Sequence, residues 1–249
     1  MSKILKMNDS AENYRVHKEN LFDLPMRLLV IGKSQLSGKT NLVGNLLLRP
    51  YADSDTSGKE FYKDDFLGRN IYIVCPSTLV DEKWRAMSAG KDIPDGNIYT
   101  SYDEDELEAL YTRLEKDYYA NKARNKPEHV LVIFDDCSYG GDLKGKKNGI
   151  MTKFACNSRH FLISVIITSQ KHSDVSTTMR ENASGLILYG CSMKQTELIY
   201  QDVGECSKTE FLKMFRNATH ERHTFLVVNY SNHPDARFCG SDFLPLNSD

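Results

Sequence analysis

An apolar run that ends in a glycine-rich turn, with a helical pattern directly after it, constrains this chain most strongly. Residues 26–31 read Met-Arg-Leu-Leu-Val-Ile, and residues 32–40 read Gly-Lys-Ser-Gln-Leu-Ser-Gly-Lys-Thr. A short buried strand that leads into such a turn directs successive backbone N–H groups at an anion, with the positive end of the next helix behind them. The pattern therefore predicts a phosphate-binding loop between a strand and a helix.

The residues of this loop have different predicted roles. Lys39 would reach the β and γ phosphates of a nucleotide, and the Thr40 hydroxyl would hold Mg²⁺. The candidates for nucleotide binding are Gly32, Lys33, Ser34, Gln35, Leu36, Ser37, Gly38, Lys39, Thr40 and Asn41. The first glycine departs from the pattern G-x-x-x-x-G-K-[ST], since it stands one position early, at Gly32. Gly38 and the Lys39–Thr40 pair are intact, so we expect the loop to absorb the shift.

Length and composition are compatible with this prediction without deciding the function. The chain has 249 residues, enough for one α/β domain that buries roughly 70 to 75% of its unfolded surface. Its 32 Lys and Arg residues face 34 Asp and Glu residues, so any contact with DNA must be local.

The six cysteines include no C-x-x-C pair, which indicates neither a zinc site nor a disulfide framework. Without a signal peptide or a membrane-length apolar run, we expect a soluble protein made in the cytosol.

Apolar strand-like runs alternate with helical patterns along the chain. This alternation predicts an α/β fold in which a central, mainly parallel sheet carries helices on both faces. The further strand candidates are residues 71–75, 130–135, 161–168, 185–189 and 224–229. We expect an N-terminal arm over residues 1–24, one domain over residues 25–235 and a C-terminal tail over residues 236–249.

Two segments between the strands have distinct patterns. Residues 51–69 are polar and too numerous for an ordinary connection, so we expect them to be disordered or functional. Ser101 and Glu104 have the spacing of a capping box at the start of a helix. The apolar residues that follow at helical spacing, and that predict core packing, are Leu107, Leu110, Tyr111, Leu114 and Tyr118.

Two adjacent acids form the second candidate element of a site. The apolar residues 130–134 end in Asp135 and Asp136. A buried strand has little reason to end in adjacent carboxylates unless they meet a cation or a water molecule. In a phosphate-loop protein, Asp135 would orient the coordination shell of Mg²⁺ at the carboxyl edge of the sheet, and Asp136 would polarise the attacking water. The alternative is a strand end followed by an Asp-rich turn.

An amide at the end of the next strand forms the third candidate element. The apolar run over residues 161–167 leads into Thr168, Ser169 and Gln170. The Gln170 amide can donate to a γ-phosphate and accept from water at once, as a phosphate sensor does. Many strands end in Ser or Gln, so the prediction depends on the order along the chain, with the loop first, the acids next and the amide last.

Several motifs taken together resemble a known family. They are residues 71–77 with Asp81 and Trp84, the Asp135–Asp136 pair, residues 157–160 before the sensor strand, and residues 179–182. Over about residues 26–190, their combination is similar to the poxvirus-type genome-packaging ATPases of the FtsK–HerA superfamily, found in large eukaryotic DNA viruses, virophages and related double jelly-roll viruses. The resemblance implies a P-loop NTPase fold of the ASCE type, ATP and Mg²⁺ as cofactors, and a motor that drives double-stranded DNA into a preformed capsid.

The resemblance also implies partners and a shared active site. It implies a homo-oligomeric ring, a pentamer or hexamer, that binds double-stranded DNA without sequence preference. The ring would also bind a capsid or membrane component of the virion, and it would act in the cytoplasm of the infected host. In such rings one chain supplies Lys39, Thr40, Asp135, Asp136 and Gln170. A neighbour inserts an arginine, for which Arg180 is the first candidate, because it matches the family's Arg-Xaa-Asn element, and Arg159 the second. The alternative for either arginine is a surface salt bridge.

Two short segments have more than one interpretation. Lys144, Lys146 and Lys147 lie in a glycine-rich stretch after the acids, which is typical of a loop that grips DNA phosphates and equally of a solvated turn. His220 and His223 have the spacing H-x-x-H, which we interpret as polar surface because further metal ligands are not evident.

Other functions fit part of the pattern. A nucleoside or small-molecule kinase shares the phosphate loop but needs an arginine-rich lid, for which we find no convincing segment. A GTPase-like switch would read guanine through Asn-Lys-Xaa-Asp, yet residues 125–128 read Asn-Lys-Pro-Glu and precede the acidic strand. A non-enzymatic capsid or membrane partner would bind a nucleotide without hydrolysing it.

Overall fold

The computed structural model describes residues 20–34, 37–48, 61–78, 81–137, 143, 149–204 and 206–246. The strands in this part of the chain are β1 (Arg27–Ile31), β2 (Ile71–Val74), β3 (Ile98–Tyr99), β4 (Val130–Asp135), β5 (Ile163–Ser169), β6 (Gly185–Tyr189), β7 (Phe225–Asn229) and β8 (Phe238–Cys239). The helices are α1 (Lys39–Leu48), α2 (Glu82–Lys91), α3 (Glu104–Ala123), α4 (Ile150–Cys156), α5 (Thr177–Glu181), α6 (Met193–Val203) and α7 (Lys208–Ala218).

The strands form one sheet in the order β3-β2-β4-β5-β1-β6-β7-β8. Strands β1 to β6 pair in parallel, whereas β7 and β8 are antiparallel to their neighbours. In the register of the central strands, Ile31 lies opposite Ser169 and Asp135 lies opposite Thr168. The carboxyl ends of β1, β4 and β5 therefore meet at one edge of the sheet, with β5 in the middle. The expected α/β fold is confirmed.

Each face of the sheet carries its own hydrophobic core. Leu29 and Ile31 of β1 belong to the core that α3 to α7 cover. Leu28 and Val30 alternate with them and belong to the core on the other face, which α1 and α2 cover. Because successive side chains of a strand point to opposite faces, a central parallel strand is apolar along its whole length. That property made the strands recognisable in the sequence.

The predicted strand bounds agree with the structure at most positions. Strands β4 and β6 have the predicted limits, and β1, β2, β5 and β7 differ from them by one or two residues. Strands β3 and β8 were not predicted, since two residues are too few to display a periodicity. None of the helices in the described ranges is long and apolar enough to cross a membrane.

The start of α3 differs from the expected capping box. The Asp103 carboxylate accepts hydrogen bonds from the backbone N–H groups of Asp105 and Glu106, at 3.0 and 2.9 Å. Asp103 is thus the N-cap, and the capping box predicted for Ser101 and Glu104 is wrong, because a later carboxylate already satisfies these N–H groups. The predicted core packing of the helix is confirmed for Leu107, Leu110, Tyr111 and Leu114, which are buried, whereas Tyr118 is only half-buried.

Residues 61–69, the described part of the polar segment 51–69, pack against the core. The Tyr62 hydroxyl accepts a hydrogen bond from the Phe22 N–H group at 2.9 Å and donates one to the Phe22 carbonyl at 3.0 Å. Phe66 is also fully buried. Residues 61–69 therefore have a structural role, whereas residues 51–60 and the lysines at 144, 146 and 147 lie outside the described residues.

Residues near both ends of the described chain also contribute to the core. Leu21 and Leu24, from the predicted arm, are buried. Phe238 and Cys239, from the predicted tail, pair with β7, and Phe243 is buried against the rings of Phe22 and Phe225.

Candidate active site

A pocket of about 290 Å³ opens at the carboxyl edge of the sheet. Its lining residues are Ser34, Ser37, Gly38, Lys39, Thr40, Asn41, Ser77, Asp81, Lys83, Asp135, Asp136 and His223. The phosphate loop and the paired aspartates are distant in sequence, and the parallel order of β1 and β4 brings them together here. Ligands of open α/β sheets bind at this edge.

Two glycines explain the shape of the phosphate loop. The Gly32 N–H group donates to the Ser169 carbonyl at 3.0 Å. A Cβ atom at Gly32 would lie 2.7 Å from the Ser37 Cβ and 2.8 Å from the Tyr189 Cβ, so no larger residue fits. The loop thus uses its first glycine one position early because the close contact occurs there. Gly38 has a φ of +83°, which glycine adopts without strain.

Lys39 is held against the phosphate loop. Its Nζ atom donates a hydrogen bond to the Gly32 carbonyl at 2.8 Å, and the side chain is buried. Burial lowers the pKa of Lys39, while the charges of Asp136 and Asp135 oppose this effect. An anionic phosphate in the pocket would replace the carbonyl as the acceptor and compensate the buried positive charge.

Asp135 is a buried carboxylate that neutral donors hold in place. Its Oδ2 atom accepts from the Trp84 Nε1–H group at 2.9 Å and from the Cys75 thiol at 3.6 Å. Its Oδ1 atom accepts from the Thr168 hydroxyl at 2.5 Å. Desolvation raises the pKa of Asp135, and these hydrogen bonds oppose the rise. Burial also raises the pKa of Cys75 to about 11, so the thiol remains a donor at neutral pH.

Asp136 and Gln170 form the outer part of the site. Asp136 has a φ of 53°, a left-handed conformation that turns the chain directly after β4. Its Oδ1 atom accepts from the Gln170 Nε2 atom at 3.1 Å, and its N–H group donates to the Thr168 hydroxyl at 3.2 Å. The hydroxyl of Thr168 therefore links the two aspartates, and the predicted sensor amide contacts the second of them.

The site fits Mg²⁺ in the way that phosphate-loop proteins hold it. Mg²⁺ usually takes one or two protein oxygens together with substrate phosphates and water. Thr40 and Asp135 line the same pocket and supply a hydroxyl and a carboxylate. Among the described residues, no three His, Cys, Asp or Glu side chains form a separate metal site. A metal here would thus be bound jointly by Thr40, Asp135 and the nucleotide.

The remaining candidate residues lie in different places. Lys33 is exposed and does not line the pocket, and residues 35 and 36 lie outside the described residues. Arg180 forms an ion pair with Asp202 of the same chain, and its side chain is only 13% exposed. Arg159 is exposed in the short 3₁₀ turn Ser158–Phe161, at the amino end of β5. Neither arginine lines the pocket of its own chain.

The contacts of two residues near the pocket were not predicted from local sequence patterns. His223 is exposed, as its interpretation as polar surface predicts, and its Nδ1 atom also lies 3.4 Å from the Ser37 carbonyl at the rim of the pocket. It precedes β7, which is antiparallel to β6 and places Phe225 opposite Tyr189 at the carboxyl edge. The local pattern carries no signal for this return of the chain. Trp84 was part of the family resemblance, but its contact with Asp135 was not predicted.

The fold and this pocket define a P-loop NTPase. The family described as "Poxvirus A32 protein" matches residues 93–242, which include the paired aspartates and Gln170. The chain belongs to this family. The resemblance to poxvirus-type packaging ATPases is therefore confirmed. No curated protein matches the chain significantly.

Solved structures share the fold at low sequence identity. The genome packaging NTPase B204 from Sulfolobus turreted icosahedral virus 2, in complex with AMP, superimposes with a TM-score of 0.52 and 15% identity over 82% of this chain and 92% of that chain. The same protein in complex with AMPPCP gives a TM-score of 0.51 and 16% identity over 82% and 92% of the two chains. At this identity the similarity concerns the fold.

Proposed function

We propose that the chain is an ATP-hydrolysing motor that packages double-stranded viral DNA into a preformed capsid. One observation carries the proposal: Lys39, Thr40, Asp135 and Asp136 line a single pocket at the carboxyl edge of the sheet. Membership in the Poxvirus A32 protein family supports a viral role. The shared fold with a genome packaging NTPase that binds AMP and AMPPCP supports an adenine nucleotide as the ligand.

The contacts of the site suggest how hydrolysis would proceed. Lys39 exchanges the Gly32 carbonyl for the β and γ phosphates, and Gln170 holds the Asp136 carboxylate so that it can polarise a water molecule. The water oxygen attacks the γ-phosphorus, the bond to the bridging β–γ oxygen breaks, and a water proton moves toward Asp136. Mg²⁺, bound by Thr40 and Asp135, would neutralise charge on the phosphate oxygens.

A neighbouring copy would complete the site. Among the described residues, no arginine lines the pocket. An arginine that contacts the transferred phosphate typically raises turnover by a factor of about 10³ to 10⁵. We therefore propose a ring of five or six copies in which an arginine acts in trans. Arg180 would have to release Asp202 to do so, whereas Arg159 is exposed and has no ion pair in the described part of the chain.

The proposed partners follow from the same function. Because the formal net charge of the chain is −2, contact with double-stranded DNA would be local. Contacts to the phosphates alone would bind the duplex without reading its bases. A capsid or membrane component of the virion would anchor the ring at virus assembly sites in the host cytoplasm. Lys144, Lys146 and Lys147 remain the sequence-based candidates for the DNA contact.

Nucleotide turnover with and without duplex DNA, together with the mass in solution, tests the proposal. We expect Mg²⁺-dependent ATP hydrolysis that duplex DNA stimulates, in a protein larger than one chain by light scattering. Transfer of the phosphoryl group to a small acceptor would instead identify a kinase. Tight nucleotide binding with negligible turnover, with or without DNA, would identify a switch or a non-enzymatic capsid partner.

A further inference from the structure

Trp84 is the only tryptophan of the chain, and it lies beside the predicted metal ligand. It is fully buried in the first turn of α2, and its Nε1 atom lies 2.9 Å from the Oδ2 atom of Asp135. An indole carries one N–H donor and no acceptor, so this contact uses all of its hydrogen-bonding capacity. A buried tryptophan needs such a partner, and here the partner is a carboxylate of the active site.

The contact fixes Asp135 from outside the sheet. The Thr168 hydroxyl belongs to β5 and the Cys75 thiol directly follows β2, so both of these donors come from strands or strand ends. Trp84 comes from α2 instead. The carboxylate is thus held from two directions, which leaves its remaining lone pairs with a defined orientation.

The same helix begins at the pocket. Asp81 caps α2 by accepting a hydrogen bond from the Lys83 N–H group at 2.9 Å, and both residues line the pocket. Trp84 follows directly. A movement of Asp135 toward a bound cation would therefore act on the first turn of α2 through the indole.

We propose that Trp84 is a positioning residue that orients Asp135 for Mg²⁺ and couples the metal site to the start of α2. Donors that orient a metal ligand typically contribute about 10- to 100-fold to metal affinity. The inference rests on the proposed function, because it assigns Asp135 to the metal of a bound nucleotide. It adds a residue that never touches the nucleotide.

The unmodified protein provides the first test, because its single tryptophan reports on the site. A non-hydrolysable ATP analogue is added to the full chain in EDTA, and MgCl₂ is then titrated in excess of the chelator. We expect the tryptophan emission to change on addition of Mg²⁺ and to change little on addition of the analogue alone. An emission that is unaffected by Mg²⁺, while calorimetry shows Mg²⁺-dependent binding of the analogue, would overturn the proposal.

The variant Trp84→Phe provides the second test, since it keeps an aromatic ring and removes the donor. We expect it to weaken Mg²⁺-dependent binding of the analogue by about 10- to 100-fold, and binding in EDTA by less than about twofold. Tyr62→Phe is the matched control, because it removes the two buried hydrogen bonds of the Tyr62 hydroxyl to Phe22 in the same core, away from Asp135. It should bind Mg²⁺ and analogue like the unmodified chain.

The outcomes separate this inference from the proposed function. A chain that binds no nucleotide in any condition contradicts the proposed function. A chain that binds the analogue with Mg²⁺, but in which Trp84→Phe leaves the Mg²⁺ dependence unchanged, contradicts only the role of Trp84. If Trp84→Phe does not fold, as judged by circular dichroism, the emission of the unmodified protein still decides.

Discussion

The Gln170 Nε2 atom lies 3.1 Å from the Oδ1 atom of Asp136 and joins the end of β5 to the residue after β4. Because the amide holds the carboxylate that is proposed to polarise water, the two side chains should act as one unit. Their joint removal should then cost much less than the sum of the two separate effects.

Asp136→Asn should leave only a small residual rate of hydrolysis while ATP binding stays nearly intact, since the change removes a base without removing a phosphate contact. Gln170→Ala should lower kcat by about 10²-fold on its own. In an Asp136→Asn background, Gln170→Ala should lower the residual rate far less. Single-turnover rates of the four proteins provide the measurement. Unchanged turnover in Asp136→Asn would mean that another residue positions the water.

Lys39→Ala should abolish nucleotide binding or lower turnover by about 10² to 10³-fold, because it removes the cation that lies over the loop. Calorimetry with a non-hydrolysable analogue and a phosphate-release assay measure the two effects. Lys116→Ala is a matched control, since Lys116 is exposed on α3. Normal turnover in Lys39→Ala would remove the phosphate-loop assignment.

The sequence allowed most of the fold to be predicted, together with the position of the phosphate loop, the paired aspartates and Gln170 at one edge of the sheet. Strand β4 was recognised from an apolar run, and the acids at its end marked the same position as a candidate site. Both features are local, so one segment of sequence contains them. The position of Gln170 beside Asp136 could be predicted because the order of parallel strands places successive carboxyl ends at one edge, whereas its role as a sensor stays a prediction.

The contacts of Trp84 and His223 could not be predicted, because they join segments that are distant in sequence. Trp84 and Asp135 meet across 51 positions of sequence, and no periodicity encodes that hydrogen bond. His223 reaches the loop because β7 runs antiparallel to β6, and a short apolar run does not reveal its direction. The ion pair between Arg180 and Asp202 also depends on how α5 and α6 pack.

Mixing experiments should identify the arginine that acts in trans. If the arginine acts across the interface, Arg180→Ala chains mixed with Lys39→Ala chains should recover part of the ATPase activity, since some interfaces then combine an intact pocket with an intact arginine. The same mixture with Arg159→Ala tests the second candidate. Recovery is measured as phosphate release in rings shown by mass to contain both chains. Failure to complement with either arginine, in such rings, would indicate an arginine in cis or another residue.

His172 should make the protein less stable in mild acid. Its imidazole is buried, and the Nε2 atom lies 2.7 Å from the Oδ2 atom of Asp202, so a neutral ring with the proton on Nε2 suits the carboxylate. Burial lowers the pKa of His172 below its ordinary value of 6.5, the contact with Asp202 opposes this shift, and the charge of Arg180 adds to it. The unfolded chain therefore binds the proton more readily. The stability from neutral His172 is present above pH 6.5 and is lost as the pH falls toward the folded-state pKa.

Urea unfolding at pH 7.5 and at pH 5.5 measures this loss. One histidine contributes at most about 1.4 kcal/mol per pH unit, and His172→Gln should reduce the loss, because glutamine keeps a donor for Asp202 without titrating. His220→Gln is the matched control at an exposed position, and its free energy of unfolding should change between the two pH values as it does in the unmodified chain. Equal slopes in all three proteins would show that His172 does not carry the effect.

Two glycine substitutions should separate the shape of the phosphate loop from general helix stability. Gly32→Ala places a Cβ atom 2.7 Å from the Ser37 Cβ and 2.8 Å from the Tyr189 Cβ, so the loop must shift at a cost of about 1 to 3 kcal/mol. Gly44→Ala lies in α1 with no neighbouring atom within 4 Å of the added Cβ, and it should stabilise the helix by up to about 1 kcal/mol. Thermal unfolding measures both effects, and calorimetry with an ATP analogue should show weaker binding for Gly32→Ala alone. If Gly32→Ala bound the analogue like the unmodified chain, the close contact at Gly32 would have no part in shaping the loop.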